Sequence, residues 1–190
     1  MKQIILATIS PRRRQMFKLF GIPFKAVDSG YEEVVHKHLS VEQLVKYLAL
    51  GKAKTAAKKY PKAIIIAADS VAYFKGKIIG KPKTRQEAIQ NFKDFSGKHH
   101  EFITGTAVLD AKTGRLITNV TKSKIYFRKL EQKDILDYIK RGHPYDKAGG
   151  FSPQGIGFNL LEKMTGDFNN NLGLPLGFVY NALEKLNVKF

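Results

Sequence analysis

Gln3-Ile4-Ile5-Leu6-Ala7-Thr8 runs almost directly into Ser10-Pro11-Arg12-Arg13-Arg14 near the start of this 190-residue chain. The first six residues are short, continuous and rich in β-branched side chains, which predicts a buried strand. Pro11 has no N–H and disfavours helix in the residue before it, so the ladder stops there. Met16, Phe17, Leu19 and Phe20 then fall on a helix, with Ser10 at its N-cap and proline at its first position. Strand, tight loop and helix start bring free backbone N–H groups, the helix dipole and planar guanidinium forks together, all of which favour phosphate. A lone arginine pair would read better as a solvated basic helix start. Here it follows a buried strand, where open α/β sheets bind ligands, and that favours the phosphate reading.

Composition sets the outer limits. A chain with 43% hydrophobic and 26% charged residues is an ordinary globular protein, and its length predicts a single domain over 1–190. No apolar run is long enough for a bilayer and no signal-peptide pattern precedes the first strand, so a cytoplasmic protein without a membrane partner is expected. With no cysteine, disulfides and thiolate metal sites are excluded. The charge of +17, from 33 Lys and Arg against 16 Asp and Glu, suits polyanionic partners. The lysines are scattered through the sequence, however, whereas a nucleic-acid arm would concentrate them. The surplus therefore reads mainly as solvated surface and secondarily as steering for an anionic substrate.

Hydrophobic pattern and punctuation order the rest. Phe24-Lys25-Ala26-Val27 is a short strand after Gly21-Ile22-Pro23. Ser40 and Gln43 form a capping box for a helix reaching about Tyr60. Ala63 to Ala68 is the most apolar strand, expected to end at Asp69, and a hairpin turning at Lys75-Gly76-Lys77 leads to Gly80-Lys81-Pro82. Thr84 and Glu87 make a second capping box, for a helix ending near Phe95. His100 to Leu109 and Leu116 to Phe127 read as a hairpin pair. A helix from Glu131 to Arg141 is expected to close at Gly142, followed by a glycine-rich loop, and Pro175 opens the last helix. Strand–helix–strand units together with hairpins predict an α/β fold with a mixed sheet.

Three features point to chemistry. On the helix from Ser40, at about 100° per residue, Lys52 falls inside the apolar stripe of Val41, Leu44, Val45, Leu48 and Ala56. It either snorkels to water or has a partner. Asp69, expected at the end of an apolar strand, is a candidate metal ligand or base, although aspartates also simply start turns. Asp146-Lys147-Ala148-Gly149-Gly150, with Gln154-Gly155 after it, pairs close-approach glycines with an amide able to read a base edge. Taken alone, it could be no more than a turn.

Taken in order, Ser10-Pro11-Arg12-Arg13, Glu33, the Lys52 segment, Ala68-Asp69-Ser70, Gly80-Lys81-Pro82, Ser96-Gly97 to His100, Thr104-Gly105, Asp146 to Gly150, Gln154-Gly155 and Gly166-Asp167 to Leu176 resemble the Maf family. These are septum-formation-inhibitor-like nucleotide pyrophosphatases, and the resemblance covers Ile4 to about Leu176. It implies an elongated α/β/α architecture with a cleft between two lobes, often in a homodimer. It also implies hydrolysis of a nucleoside triphosphate to monophosphate and pyrophosphate with a divalent cation, Mg²⁺ or Mn²⁺. Carried over by position, Asp69 matches the proton acceptor, joined by Glu33, Lys52 and Lys81. Ser10, Arg12, Arg13, Ser70 and Gln154 match substrate-binding positions, and Glu33 and Asp69 are the implied metal ligands. The arginine and glutamine choices resemble the branch favouring dTTP and UTP. Alternatives are the same chemistry on 7-methyl-GTP or other modified nucleotides, or a nucleic-acid-binding or cell-division regulatory protein without hydrolysis. Ser70 departs from that branch's usual threonine, and His143 stands where an acidic residue is common.

Overall fold

The computed structural model describes residues 2–33 and 38–188. Its strands form a seven-stranded sheet. The elements begin with β1 (Ile4–Ala7), α1 (Pro11–Lys18), β2 (Lys25–Val27) and α2 (Val41–Lys59). Next come β3 (Ile64–Phe74), β4 (Lys77–Ile79), α3 (Arg85–Phe95), β5 (His99–Asp110) and β6 (Leu116–Phe127). The chain finishes with α4 (Gln132–Gly142), β7 (Leu161–Gly166) and α5 (Leu176–Lys185). The strand order is β2-β1-β3-β5-β6-β7, with β4 also paired to β3. β1 is parallel to β2 and β3, while β3–β4 and β6–β7 are antiparallel. The expected mixed α/β sheet is present.

The chain divides into two compact units, one of residues Met1–Asp69, Thr104–Thr121 and Leu172–Phe190, the other of Ser70–Ile103 and Lys122–Asn171. The first unit has three layers, and the strand period of two explains them. Ile4 and Leu6 of β1, with Ile64 and Ile66 of β3, face Phe17 of α1 and Val179, Ala182 and Leu183 of α5. Ile5, Ala7, Ile65 and Ala67 face the other way, onto Ala49, Ala53 and Ala56 of α2. Small alanines on α2 let that helix lie close to the sheet. Its Ser40–Gln43 capping box is complete, with Ser40 N–H donating to Gln43 Oε1 at 2.8 Å and Gln43 N–H to Ser40 Oγ at 3.2 Å.

The second unit packs aromatic rings between its strands and two helices. Phe92 and Phe95 of α3, Phe127 of β6, Tyr138 of α4 and Phe151 form one buried cluster. Edge-to-face pairs predominate there, such as Phe92–Tyr138 with centroids 4.9 Å apart and Phe127–Phe151 at 4.8 Å, the geometry favoured by ring quadrupoles.

Several boundaries differ from the sequence expectation. β3 does not end at Asp69 but continues to Phe74, so Asp69 lies within the strand, at the point where burial becomes partial. Hairpin pairing of Ala72, Tyr73 and Phe74 with β4 sustains the ladder beyond it. Glu87 does not complete a capping box, because its carboxylate accepts from Lys83 N–H at 2.8 Å while Thr84 takes the Glu87 N–H. α4 includes Gly142, and His143 is the left-handed closing residue at φ 48°. β7 is an exposed edge strand whose mixed pattern gives no clean alternation.

His100 is buried in the aromatic cluster, 4.9 Å from Phe95 and 5.5 Å from Phe127 by ring centroid. Desolvation lowers its pKa to about 4, outweighing the Glu101 carbonyl, which favours the charged ring; nearby His99 lowers it further. The unfolded chain thus binds the proton more readily than the folded one. The stability from keeping this ring neutral is full above about pH 6.5 and is lost as pH falls toward 4, by about 3 kcal/mol. Urea denaturation at pH 7 and pH 4.5 should show this loss, and His100→Phe should flatten the change within that window.

Candidate active site

The site is built on the first unit, where β1 hands the chain to α1. Ser10 occupies the N-cap and Pro11 the first position, as expected, but the Ser10 side chain makes no capping hydrogen bond. The turn is held instead by Ser10 N–H donating to Thr8 Oγ1 at 3.1 Å. α1 has no acidic residue in its first turn, although the positive end of a helix dipole favours one. Arg12, Arg13 and Arg14 stand there instead, an arrangement that stabilises a bound anion better than it stabilises the helix.

The three arginines are not equivalent. Arg14 folds back on its own loop, with Nε and Nη2 donating to the Thr8 carbonyl at 3.4 and 3.3 Å. Arg13 donates through Nε to the Gly173 carbonyl at 2.7 Å, which fixes the direction of its fork. Desolvation lowers the Arg13 pKa, Asp69 and Glu33 pull it up, and Arg12 pushes it down. It remains a cation at neutral pH, within the electrostatic reach of both carboxylates.

Lys52 is the hub. Its Nζ lies 2.5 Å from Asp69 Oδ1 and 2.6 Å from Glu33 Oε1. The Lys52 side chain is 16% exposed, that of Asp69 13% and that of Glu33 53%. The anomaly in the apolar stripe therefore has its explanation in two carboxylates, which a largely buried ammonium requires. Lys54 and Lys58, off the stripe, are exposed.

Tyr31 was not foreseen. Its ring lies against Gly51, and its phenol shares a hydrogen bond with Tyr47. Desolvation, that hydrogen bond and the neighbouring Glu33 push the phenol up to about 12, so it stays protonated. The available signal was Gly51 itself, an isolated glycine inside a helical pattern.

The remaining predicted residues belong to the second unit. Ser70 is half-buried in β3. Lys81 is exposed, but its backbone is restrained on both sides: Gly149 N–H donates to the Gly80 carbonyl at 2.9 Å, and Gly150 packs on buried Pro82. A Cβ at Gly149 would come within 2.9 Å of Ala72 Cβ, and one at Gly150 within 3.2 Å of Pro82 Cγ. With φ of 67° and 78° at these residues, packing within the unit alone accounts for both glycines. Lys147 also serves its own loop, reaching the His143 carbonyl and Asp146 Oδ1 at 2.5 Å each. His143 therefore supplies a carbonyl for that contact. Gln154 is half-buried, and its Oε1 lies 3.5 Å from Ser152 Oγ.

Among the described residues no group of three or more His, Asp or Glu side chains could hold a metal ion. Glu33 and Asp69 are nevertheless hard oxygen donors within reach of one ammonium. That fits a cation which takes one or two carboxylates and completes its shell with phosphate and water.

Comparison with known proteins gives the family and the fold. The family described as Maf-like protein matches residues 3–186. A protein of Geobacillus sp. strain WCH70 named dTTP/UTP pyrophosphatase is 39% identical over 186 residues, covering 98% of this chain and 99% of its own. One of the same name from Methanococcoides burtonii is 37% identical over 189 residues, covering 99% and 97%. A HAM1 protein from Coxiella burnetii shares the fold, with a TM-score of 0.53 at 14% identity and 98% coverage of each chain.

Asp69→Asn keeps the side-chain volume and leaves Glu33 to hold Lys52. It should fold and lose at least two orders of magnitude in turnover, on the order of 3 kcal/mol. Lys52→Ala leaves two carboxylates without their cation and should destabilise the protein by about 3 kcal/mol. Steady-state kinetics with urea denaturation checks both; near wild-type turnover by Asp69→Asn would make that carboxylate structural.

Proposed function

We propose, from the premise that this chain belongs to the Maf family, that it hydrolyses dTTP and UTP to the monophosphate and pyrophosphate. The observation that carries the reading is Lys52 between Glu33 and Asp69, with Arg13 under the influence of both carboxylates. A simple phosphate binder has no use for two carboxylates there, since they repel the ligand unless a cation intervenes.

Attack on the α-phosphorus needs positive charge on the phosphate oxygens before a base can help. Arg12 and Arg13, directed by the α1 turn, bind the triphosphate beside the Ser10 hydroxyl, and Lys81 is assigned to the same substrate. Lys52 has two tasks: it orients Asp69 through Oδ1 and adds charge where the leaving group forms. Asp69 Oδ2 is then the atom proposed to take the proton from the attacking water. Mg²⁺ or Mn²⁺ held by Glu33 and Asp69 would neutralise further charge on the phosphate oxygens.

Gln154 is assigned to the base. Thymine and uracil offer two carbonyl acceptors around one N3–H, and an amide can meet that edge with one donor and one acceptor. Cytosine leaves polar groups unpaired, at about 1–3 kcal/mol. Ser70 retains the hydroxyl of the branch's usual threonine and lacks its methyl. A single functional domain, a homodimer and a cytoplasmic location without stable nucleic-acid or membrane partners complete the proposal. The family match from 3 to 186 supports the first. No helix among the described residues is long and apolar enough to cross a membrane.

A nucleotide panel scored for pyrophosphate release tests the reading. dTTP and UTP should exceed CTP, ATP and 7-methyl-GTP by roughly tenfold or more in kcat/KM, equivalent to about 1.4 kcal/mol, and excess chelator should stop turnover. Orthophosphate as the primary product would refute attack at the α-phosphorus, and a purine or 7-methyl-GTP winning clearly would refute the base assignment.

A further inference from the structure

Gly51 lies in the interior of α2, where glycine is a poor helix former. Its value there is the absence of a side chain. A Cβ at this position would come within 2.4 Å of Tyr31 Cζ, 2.5 Å of Cε2 and 2.8 Å of the hydroxyl. The Tyr31 ring therefore occupies the space that any other residue at 51 would claim. A side-chain hydrogen bond to Tyr47, one turn earlier on the same helix, holds the far end of the ring.

The backbone leading to Tyr31 is also fixed. Gly30 N–H donates to Asp28 Oδ1 at 2.9 Å, and Tyr31 N–H to Ser29 Oγ at 3.3 Å. Ser29 is buried. Two residues beyond the ring, Glu33 places its carboxylate on Lys52, the residue next to Gly51. The loop thus meets the helix at two successive points, an aromatic ring on bare backbone and then an ion pair. Glu33 is half-exposed and lies outside any helix or strand, so the ring contact supplies the restraint that a regular element would otherwise give.

We propose that Tyr31, seated on the bare backbone of Gly51, is a positioning residue that holds the Glu33 carboxylate at Lys52. The proposal deepens the pyrophosphatase reading and rests on it for the role of Glu33. Sequence spacing alone could not reveal it, because the loop and the helix position meet only in the fold.

Gly51→Ala is the direct test. Alanine is the better helix former and the displaced atoms are the far end of one side chain, so thermal stability should hold or rise. The rate should fall nonetheless: about tenfold in kcat/KM for dTTP, with a higher Mg²⁺ concentration at half-maximal rate. Glu33→Gln should reproduce the loss, and the combined variant should be no worse than Glu33→Gln alone, as expected of residues acting through one contact. Hydrogen exchange at residues 29–33 should accelerate in Gly51→Ala and in Tyr31→Leu. Wild-type kinetics in Gly51→Ala, unchanged exchange, or losses that multiply in the combined variant would overturn the proposal. Exchange is read without turnover, so a wild-type protein inactive on every nucleotide would sink the pyrophosphatase reading, while exchange would still decide whether the ring holds the loop.

Discussion

The ammonium of Lys52 between Asp69 and Glu33 is the interaction on which the site depends. Three and four residues along the helix from the buried Ala49 and Ala56, and with a side chain only 16% exposed, Lys52 has lost most of the solvation it has in water. Two carboxylates at 2.5 and 2.6 Å replace that solvation and are themselves restrained by it. The chain has 33 basic residues against 16 acidic ones, so carboxylates are the scarcer partner. Spending two carboxylates on one lysine in such a chain marks the position as one where the direction of each carboxylate matters.

The layers of the first unit make this geometry possible. Alternating β1 and β3 side chains bury isoleucines on both faces, and alanines on α2 bring that helix close enough for Lys52 to reach a strand residue. On the same sheet, β1 delivers Arg12 and Arg13 at the first turn of α1, and the Gly173 carbonyl fixes Arg13. Opposite charges are thus held by different elements, with an anion-favouring helix start near two carboxylates that share the Lys52 ammonium. Triphosphate together with a divalent ion is the ligand we propose for this arrangement.

Most elements were legible because local signals agreed. The Ser40–Gln43 box, the proline at the start of α1 and the β-branched run of β1 all matched their surroundings. Lys52 was legible from periodicity as a conflict, a charge inside an apolar stripe, but only the family resemblance put it in one site with Glu33 and Asp69, which are 19 and 17 residues away. The end of β3 was misread because Asp69 looks like a strand terminator when its hairpin partner is ignored. The glycines at 149 and 150 have a packing explanation in Ala72 and Pro82, long-range neighbours that periodicity does not show. Tyr31 lay in a polar stretch without a period, and only Gly51 hinted at it.

A double-mutant cycle on Lys52 and Asp69, using Lys52→Met, Asp69→Asn and the pair, measures the central interaction directly. Methionine keeps most of the stem's bulk and removes the charge. Urea denaturation of the four proteins at pH 7 should give a coupling free energy of about 2 kcal/mol, with the double variant far more stable than the sum of the single losses predicts. Single effects that add to within about 0.5 kcal/mol would mean that Lys52 and Asp69 do not hold one another, and the account of the site built on that pair would fail.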